Sequence, residues 1–267
     1  WRGAENHAQR IELKSQKMDP VEAAALKRRL AEDRKAAAAA EAARQARAAE
    51  AASLMWAKLS EDGDSDYLAA KKVQGYGLRY SPRGGAVLPV LDTQGRIHGL
   101  QILRTPAAAE REKKPAKEFW PKGVAKKGHF HLIGSPSWIV LIAEGYATAA
   151  SLHMATGHPV AVAFDAGNLA PVADALRKRY PQTKILLCAD NDDLGKCRHD
   201  DCRGRIALAQ HPVECPHCGR EHGYTNAGVG AASSAALAVK GGWVAPRFAD
   251  PEARIAAYLE RGSKPTD

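Results

Sequence analysis

The stretches IVLIAEGYATAA at 139–150 and KILLCADNDD at 184–193 decide the fold of this chain. In each, an apolar run stops at a carboxylate: Glu144 in the first, Asp190 and Asp192 in the second. The runs are too short for helices and apolar on both faces, which is the pattern of buried parallel strands. A carboxylate directly after such a strand stands at the carboxyl edge of the sheet, where open α/β folds bind their ligands. Glu144 from one strand end and Asp190 with Asp192 from another can converge there. Three or four hard oxygen donors in one place make a site for Mg²⁺ or Mn²⁺. Such a site points to phosphoryl or nucleotidyl transfer.

Outward from these two stretches, strand and helix alternate. The pattern predicts strands at 139–143, 160–164, 185–189 and 243–245, and helices at 146–156, 169–179 and about 228–239. This is an α/β chain with a small parallel sheet flanked by helices. Right-handed crossovers then put Glu144 and Asp190 on one edge. Asp190 and Asp192 read as metal ligands, and Asp193 as an auxiliary ligand or a group just behind them. Glu144 is either a ligand to a second metal or a base acting through water, and the spacing leaves both open. Gly145 lets substrate approach the backbone, and the helix that follows offers N–H groups to phosphate. Asp165 ends the middle strand at the same edge; a turn role is preferred there over a site role. Asn168 reads as a helix cap.

Between Asp193 and Asn226 the alternation is interrupted. Cys197 and Cys202 are followed, after a twelve-residue spacer, by Cys215-Pro-His-Cys218-Gly219. Two cysteine pairs joined by a short loop make a tetrahedral Zn²⁺ site of four thiolates, structural because no ligand position stays open. A disulfide or a redox pair fits the pattern less well. His199, His211, His217 and His222 lie near enough in sequence to replace a cysteine. Lys196, Arg198, Arg203, Arg205 and Arg220 make this insertion, 197–222, basic. Contact with template or nucleotide and a plain zinc-stapled loop are equally good readings of it. Cys188, inside a strand, reads as core.

Upstream, 61–135 reads as a basic α+β subdomain. Strands are expected at 86–91 and 97–103, with Asp92-Thr-Gln-Gly95 as the hairpin turn between them. Residues 105–117 read as a mobile loop, and 119–133 as a return to the sheet. Arg104, Lys117, Lys122, Lys126 and Lys127 surround Phe119 and Trp120, the mixture of cations and aromatic platforms that binds single strands. The competing reading makes Phe119 and Phe130 core and has Trp120 cover an edge. His129 and His131 read as a partly exposed strand face rather than a metal site.

Residues 19–60 predict one long helix, opened by Asp19, Pro20 and Glu22. At about 1.5 Å per residue it would reach ~60 Å. Its middle is alanine and mixed charge with almost no apolar stripe, so a solvated spacer is preferred over a nucleic-acid arm. Leu54, Met55, Trp56 and Leu59 are expected to dock its last turn. Residues 1–18 form a polar lead-in and 251–267 a short C-terminal helix or tail. The start at Trp1, without Met, reads as a piece of a longer protein.

The chain has 267 residues and a net charge of +9, which favours an anionic partner. Its sequence offers neither a signal peptide nor an apolar stretch of the roughly 20 residues that span a bilayer, so a cytoplasmic setting and no membrane are expected. It lacks a Gly-x-x-x-x-Gly-Lys-Ser/Thr motif, so any helicase motor lies elsewhere.

The same residues carry a family resemblance. Ala143-Glu144-Gly145 before a helix, then Asp190-Asn191-Asp192, resembles the Toprim signature of bacterial primases, topoisomerases and some nucleases. The wording is most similar to Toprim-domain DNA primases of phages, prophages and plasmids, in GHFHLIGSP, IAEGYATAASLHMATGHPVAVAFDAGNL and AALAVKGGWVAPRF. The resemblance runs from Ala86 to Phe248 apart from the cysteine insertion, and WRGAENHAQRIELK resembles the tail of a preceding domain. It implies a primase core that makes short RNA primers on single-stranded DNA from ribonucleoside triphosphates, beside a helicase or an upstream domain. A Toprim nuclease and a non-catalytic DNA-binding module are the alternatives. One departure stands out: related primases often carry a Lys near the position of Ala231, and Lys196 and Lys240 are the candidates to replace it.

Overall fold

The computed structural model describes residues 19–192, 194–197, 199, 202, 205–207, 213–215, 217–222 and 226–247; at 194–196, 205–207, 213 and 222 this is the backbone alone. The expected lead-in at 1–18 and the tail at 251–267 lie outside the described residues. The chain divides into two compact units, 1–44 and 45–267. Helix α1 spans Pro20–Lys58. Its start is capped as its sequence predicts, with the Asp19 carboxylate accepting from the Val21 N–H at 3.1 Å. In the first unit nearly every described residue is exposed, which is what a helix of alanine and mixed charge without an apolar stripe produces.

In the second unit the end of α1 has a buried face. Ala52 and Leu59 pack with Val87, Leu100 and Ile102, and Met55, Trp56 and Trp120 close over them. Leu54 departs from expectation: it is 61% exposed, because it points away from this face. Arg79 holds the joint, donating to the Trp56 carbonyl, pairing with Glu61 and lying 4.9 Å above the Trp56 ring. It serves packing rather than phosphate.

After helix α2 (Asp66–Lys71) come strands β1 (Arg79–Tyr80), β2 (Ala86–Leu91) and β3 (Ile97–Leu103), helix α3 (Pro106–Glu112) and strand β4 (Lys117–Trp120). The four strands form an antiparallel meander in chain order. The stretch expected to be a mobile loop instead contains α3. Thr105 caps it, accepting from the Ala108 N–H at 3.2 Å, Pro106 opens it, and alanines follow.

Strand β5 (His131–Ile133) starts the second sheet, followed by β6 (Ile139–Ala143), α4 (Tyr146–Thr156), β7 (Val160–Val162), α5 (Leu169–Arg179) and β8 (Lys184–Cys188). Short strands β9 (Leu194–Lys196), β10 (Arg205–Ala207), β11 (Val213–Glu214) and β12 (Glu221–His222) form two hairpin-like pairs in the insertion. Helix α6 (Ala227–Ala238) and strand β13 (Gly242–Val244) complete the fold. The sheet order is β13-β8-β6-β7-β5, parallel except for β5 at its edge.

Residue alternation along β6 separates the two faces of this sheet. Leu141 and Ala143 join Tyr146, Ala149 and Ala150 of α4, in one core that continues into Leu88, Val90 and Leu103 of the meander. Val140 and Ile142 join Leu169, Val172 and Leu176 of α5 and Ala232 and Ala235 of α6. Cys188 is buried in the first of these cores, as read from sequence. Leu91 and Phe130 exchange backbone hydrogen bonds of 2.8 and 2.9 Å, which stitch the two sheets together. His131 is not a partly exposed strand residue: it is 2% exposed, and its Nε2 lies 2.9 Å from the Tyr76 carbonyl.

Candidate functional site

Strand β6 lies between β7 and β8, with Ala143 in register with Val162 on one side and Cys188 on the other. The next residues in each chain segment therefore emerge on one edge. Glu144 follows β6 directly, Asp165 follows β7, and Asp190 and Asp192 follow β8. The field of this group is visible in Glu144, whose pKa is raised by its burial, by Asp190, and by Asp165 and Asp192, against the lowering effect of Lys117. Asp165, read from sequence mainly as a turn residue, is thus electrostatically part of the carboxylate group.

Two of the predicted cations reach the same edge from the meander. Lys117 opens β4, and its Nζ lies 3.9 Å from where a Cβ would stand on Gly145. Lys126 pairs with Asp165 and lies 5.6 Å over the Phe119 ring, which meets Phe164 edge-on at 5.5 Å. Phe164 adopts φ +74°, unusual for a residue with a side chain; this turn swings the chain from β7 into Asp165.

Asn168 corrects its sequence reading. It precedes α5 but makes no side-chain cap. Its Nδ2 instead donates to the carbonyls of Lys126, His129 and Ala163, and its Oδ1 accepts from the Gly128 N–H at 2.8 Å. At 2% exposure it clamps the Lys126 segment onto the sheet edge. Only the tertiary fold could show this, since its partners Lys126, Gly128 and His129 lie about forty residues away in sequence.

Other sequence expectations fare differently. Arg104 is 8% exposed; its Nε meets Glu112 at 2.8 Å, its Nη2 meets Glu118 at 2.9 Å, and its Nη1 donates to the Pro115 carbonyl. With every arm engaged inside the protein, it leaves the phosphate-binding set and becomes the anchor of α3. Trp120 packs, half-buried, against the end of α1. Lys122 and Lys127 are exposed between β4 and β5. Lys240 stands past the C-terminal end of α6, whose first turn is the one beside Asp190, so it belongs to the opposite edge of the sheet. Asp193 and the side chain of Lys196 lie outside the described residues.

The insertion forms a second centre. Cys197, Cys202, Cys215 and Cys218 bring their sulfurs within 4.8 Å of one another, with 3.7 Å between Cys197 and Cys218 and between Cys202 and Cys215. A tetrahedron with Zn–S bonds of about 2.3 Å has sulfurs ~3.8 Å apart, so the four cysteines fit zinc. Burial pushes the Cys215 thiol up, but the N–H groups of Cys218 and His217 and the neighbouring thiols outweigh it and bring it down to about 7. The Gly219 N–H donates to the Cys215 carbonyl at 2.8 Å, closing the knuckle turn. Among the described residues this is the one set of metal-ligating groups already so tightly gathered. The carboxylates share an edge and a field rather than one tight cage. Their donor chemistry still fits Mg²⁺ or Mn²⁺, which keep several waters and take one or two carboxylates plus substrate phosphates.

Residues 139–214 match the family model of the Toprim domain. Two proteins of Escherichia coli, each named DNA primase TraC, are 33% identical to the chain, over 143 and 110 residues. The first alignment covers 52% of this chain and 10% of that protein, the second 39% and 10%. The chain therefore spans about a tenth of the length of these curated relatives. A DNA primase domain from Pseudomonas aeruginosa has a crystal structure with 14% identity and a TM-score of 0.35, covering 76% of this chain and 63% of that one. With its parallel sheet and acid-bearing strand ends, the segment 139–214 is similar to the Toprim domain, in a chain similar over half its length to a protein named DNA primase TraC.

Proposed function

We propose that this chain is the core of a DNA primase, a nucleotidyltransferase that makes short RNA primers on single-stranded DNA from ribonucleoside triphosphates. The observation that carries the reading is the convergence of Glu144, Asp165, Asp190 and Asp192 on one sheet edge, faced by Lys117 and Lys126. Asp190 and Asp192 are the ligands for Mg²⁺ or Mn²⁺, with Asp193 auxiliary to them. A bound divalent ion supplies acidification of the attacking 3′-hydroxyl and offsets charge on the leaving pyrophosphate.

The chain's own groups do the rest. Glu144 holds its proton to a higher pH than a solvated glutamate, which makes its carboxylate the stronger base toward a bridging water. Gly145 leaves backbone open to substrate, and Lys117 beside it meets phosphate as a point charge. Lys126, Lys122 and Lys127 extend the cationic approach for the template. The zinc staples the insertion and does no chemistry. The chain works as a piece of a cytoplasmic replication protein, with a helicase or upstream domain as partner. Its organisation is a lead-in at 1–18, a spacer helix at 19–60, a basic subdomain at 61–135, the Toprim domain at 136–250 with its insertion at 197–222, and a tail at 251–267.

The test is primer synthesis on single-stranded DNA with labelled ribonucleotides and Mg²⁺ or Mn²⁺, with Asp190→Ala beside the parent chain. Metal-dependent products that fall at least about a hundredfold in the variant are expected. Degradation of the template instead would make the chain a nuclease. Salt-sensitive DNA binding without any product would make it a binding module.

A further inference from the structure

Asn191 stands between the two aspartates of the Asp-Asn-Asp triplet, and its side chain has two distant partners. Its Oδ1 accepts from Asn226 Nδ2 at 2.6 Å, and its own Nδ2 donates to the Pro246 carbonyl at 2.8 Å. Asn226 is the residue at which the described chain re-enters the fold after the cysteine insertion. Its own Oδ1 caps α6, accepting from the Val229 N–H at 3.2 Å. Pro246 lies just past β13. One pair of amides therefore joins the end of β8, the start of α6 and the exit of β13. Two residues into α6, a Cβ on Gly228 would stand 2.3 Å from the Asp190 carbonyl oxygen, so the first turn of α6 rests directly on the backbone of that aspartate.

This arrangement answers a mechanical problem. The segment that carries the insertion leaves the fold after Asp192 and re-enters it at Asn226, so the placement of its base bears directly on two carboxylates. The cysteine cluster closes the insertion internally, but its four sulfurs form a separate cluster from the cores of the body. Closing a loop at its far end does little to fix its base. Among the described residues, the hydrogen bond from Asn226 to Asn191 spans that base directly.

We propose that Asn191 and Asn226 form a latch that closes the base of the insertion and thereby positions Asp190 and Asp192 for a divalent cation. The proposal rests on the reading of these carboxylates as a cation site. Both asparagines are positioning residues: they act through the backbone of the triplet. Asn226 has two separable duties, because one atom caps α6 and another makes the latch. A serine at this place keeps an oxygen for the cap and loses the Nδ2 donor.

The test is titration of the zinc-loaded full chain with Mn²⁺, followed by electron paramagnetic resonance. The variants Asn191→Ala, Asn226→Ser and Asp190→Asn run beside the parent, below every melting midpoint, with zinc content measured for each. The latch predicts that Asn191→Ala and Asn226→Ser each weaken Mn²⁺ binding roughly tenfold, the usual effect of removing a group that orients a ligand, at unchanged zinc content. Parent-like Mn²⁺ binding in both variants would overturn the latch while leaving the carboxylate site standing. Weakened binding in Asn191→Ala with parent-like binding in Asn226→Ser would also overturn it, since the contact to Pro246 would then suffice. Equal absence of Mn²⁺ binding in the parent and Asp190→Asn would overturn the cation site itself, and the latch with it.

Discussion

Glu144 holds its proton to a higher pH than a solvated glutamate because it is half-buried and faces three other acids. The sign of the resulting linkage follows directly. A carboxyl whose folded pKa is raised favours folding below its unfolded pKa, and that advantage is lost as pH rises through the folded value. A divalent cation reverses the penalty by offsetting the crowded charge. Mn²⁺ is therefore expected to raise the melting temperature more at about pH 8 than at about pH 5, and Glu144→Gln to shrink that difference; melting curves at the two pH values check this. His131 works in the opposite direction. Burial, only partly opposed by its bond to Tyr76, lowers its pKa from 6.5 to about 4. Its contribution is full above the unfolded value and is lost as pH falls from about 6.5 to about 4, a loss on the order of 3 kcal/mol. Denaturant titrations across that window are expected to show the decline in the parent and a flatter profile in His131→Gln.

Elements carry the next level of the argument. The first turn of α6 can lie on the Asp190 backbone only because position 228 has no side chain. Gly228→Ala must push helix and strand end apart. The expected result is about 1–3 kcal/mol of lost stability, the usual range for overpacking, together with weaker Mn²⁺ binding; Gly230→Ala, where a Cβ meets open space, is the control. Melting curves and Mn²⁺ titration of both variants decide it. The strands and helices of the parallel sheet around the site were legible from sequence to within a residue or two, because each is a short apolar run or a helix alternating with one. Helix α3 was not. Its Pro, Ala and charge composition resembles a loop, and what holds it is the buried Arg104 between Glu112 and Glu118, a contact between segments.

At the scale of the molecule, the parallel sheet and the meander share one core, whereas the cysteine cluster stands by itself. The insertion should therefore lose its order without taking the body with it. Cys202→Ser, or a strong chelator, is expected to lower bound zinc from about one per chain to near zero. Proteolysis is expected to cut within 193–225 while the meander and the parallel sheet stay protected. Mass spectrometry of the fragments, with zinc analysis, checks both. Cooperative unfolding of the whole second unit on zinc removal would refute the separation.

The sequence by itself determined the periodic and local features: the parallel sheet with acids at its strand ends, the cap at Asp19, and the spacing of the four cysteines. These are legible because each depends on residues close in the chain. The tertiary structure alone decided which charges matter. It removed Arg104 from the basic surface, brought Lys117 beside Gly145, drew Asp165 into the field of Glu144, turned Asn168 from an expected helix cap into a clamp, and joined Asn191 to Asn226. The physical reason is that an ion pair or an amide contact is set by distance in space, and these partners come from separate segments whose meeting no local pattern encodes.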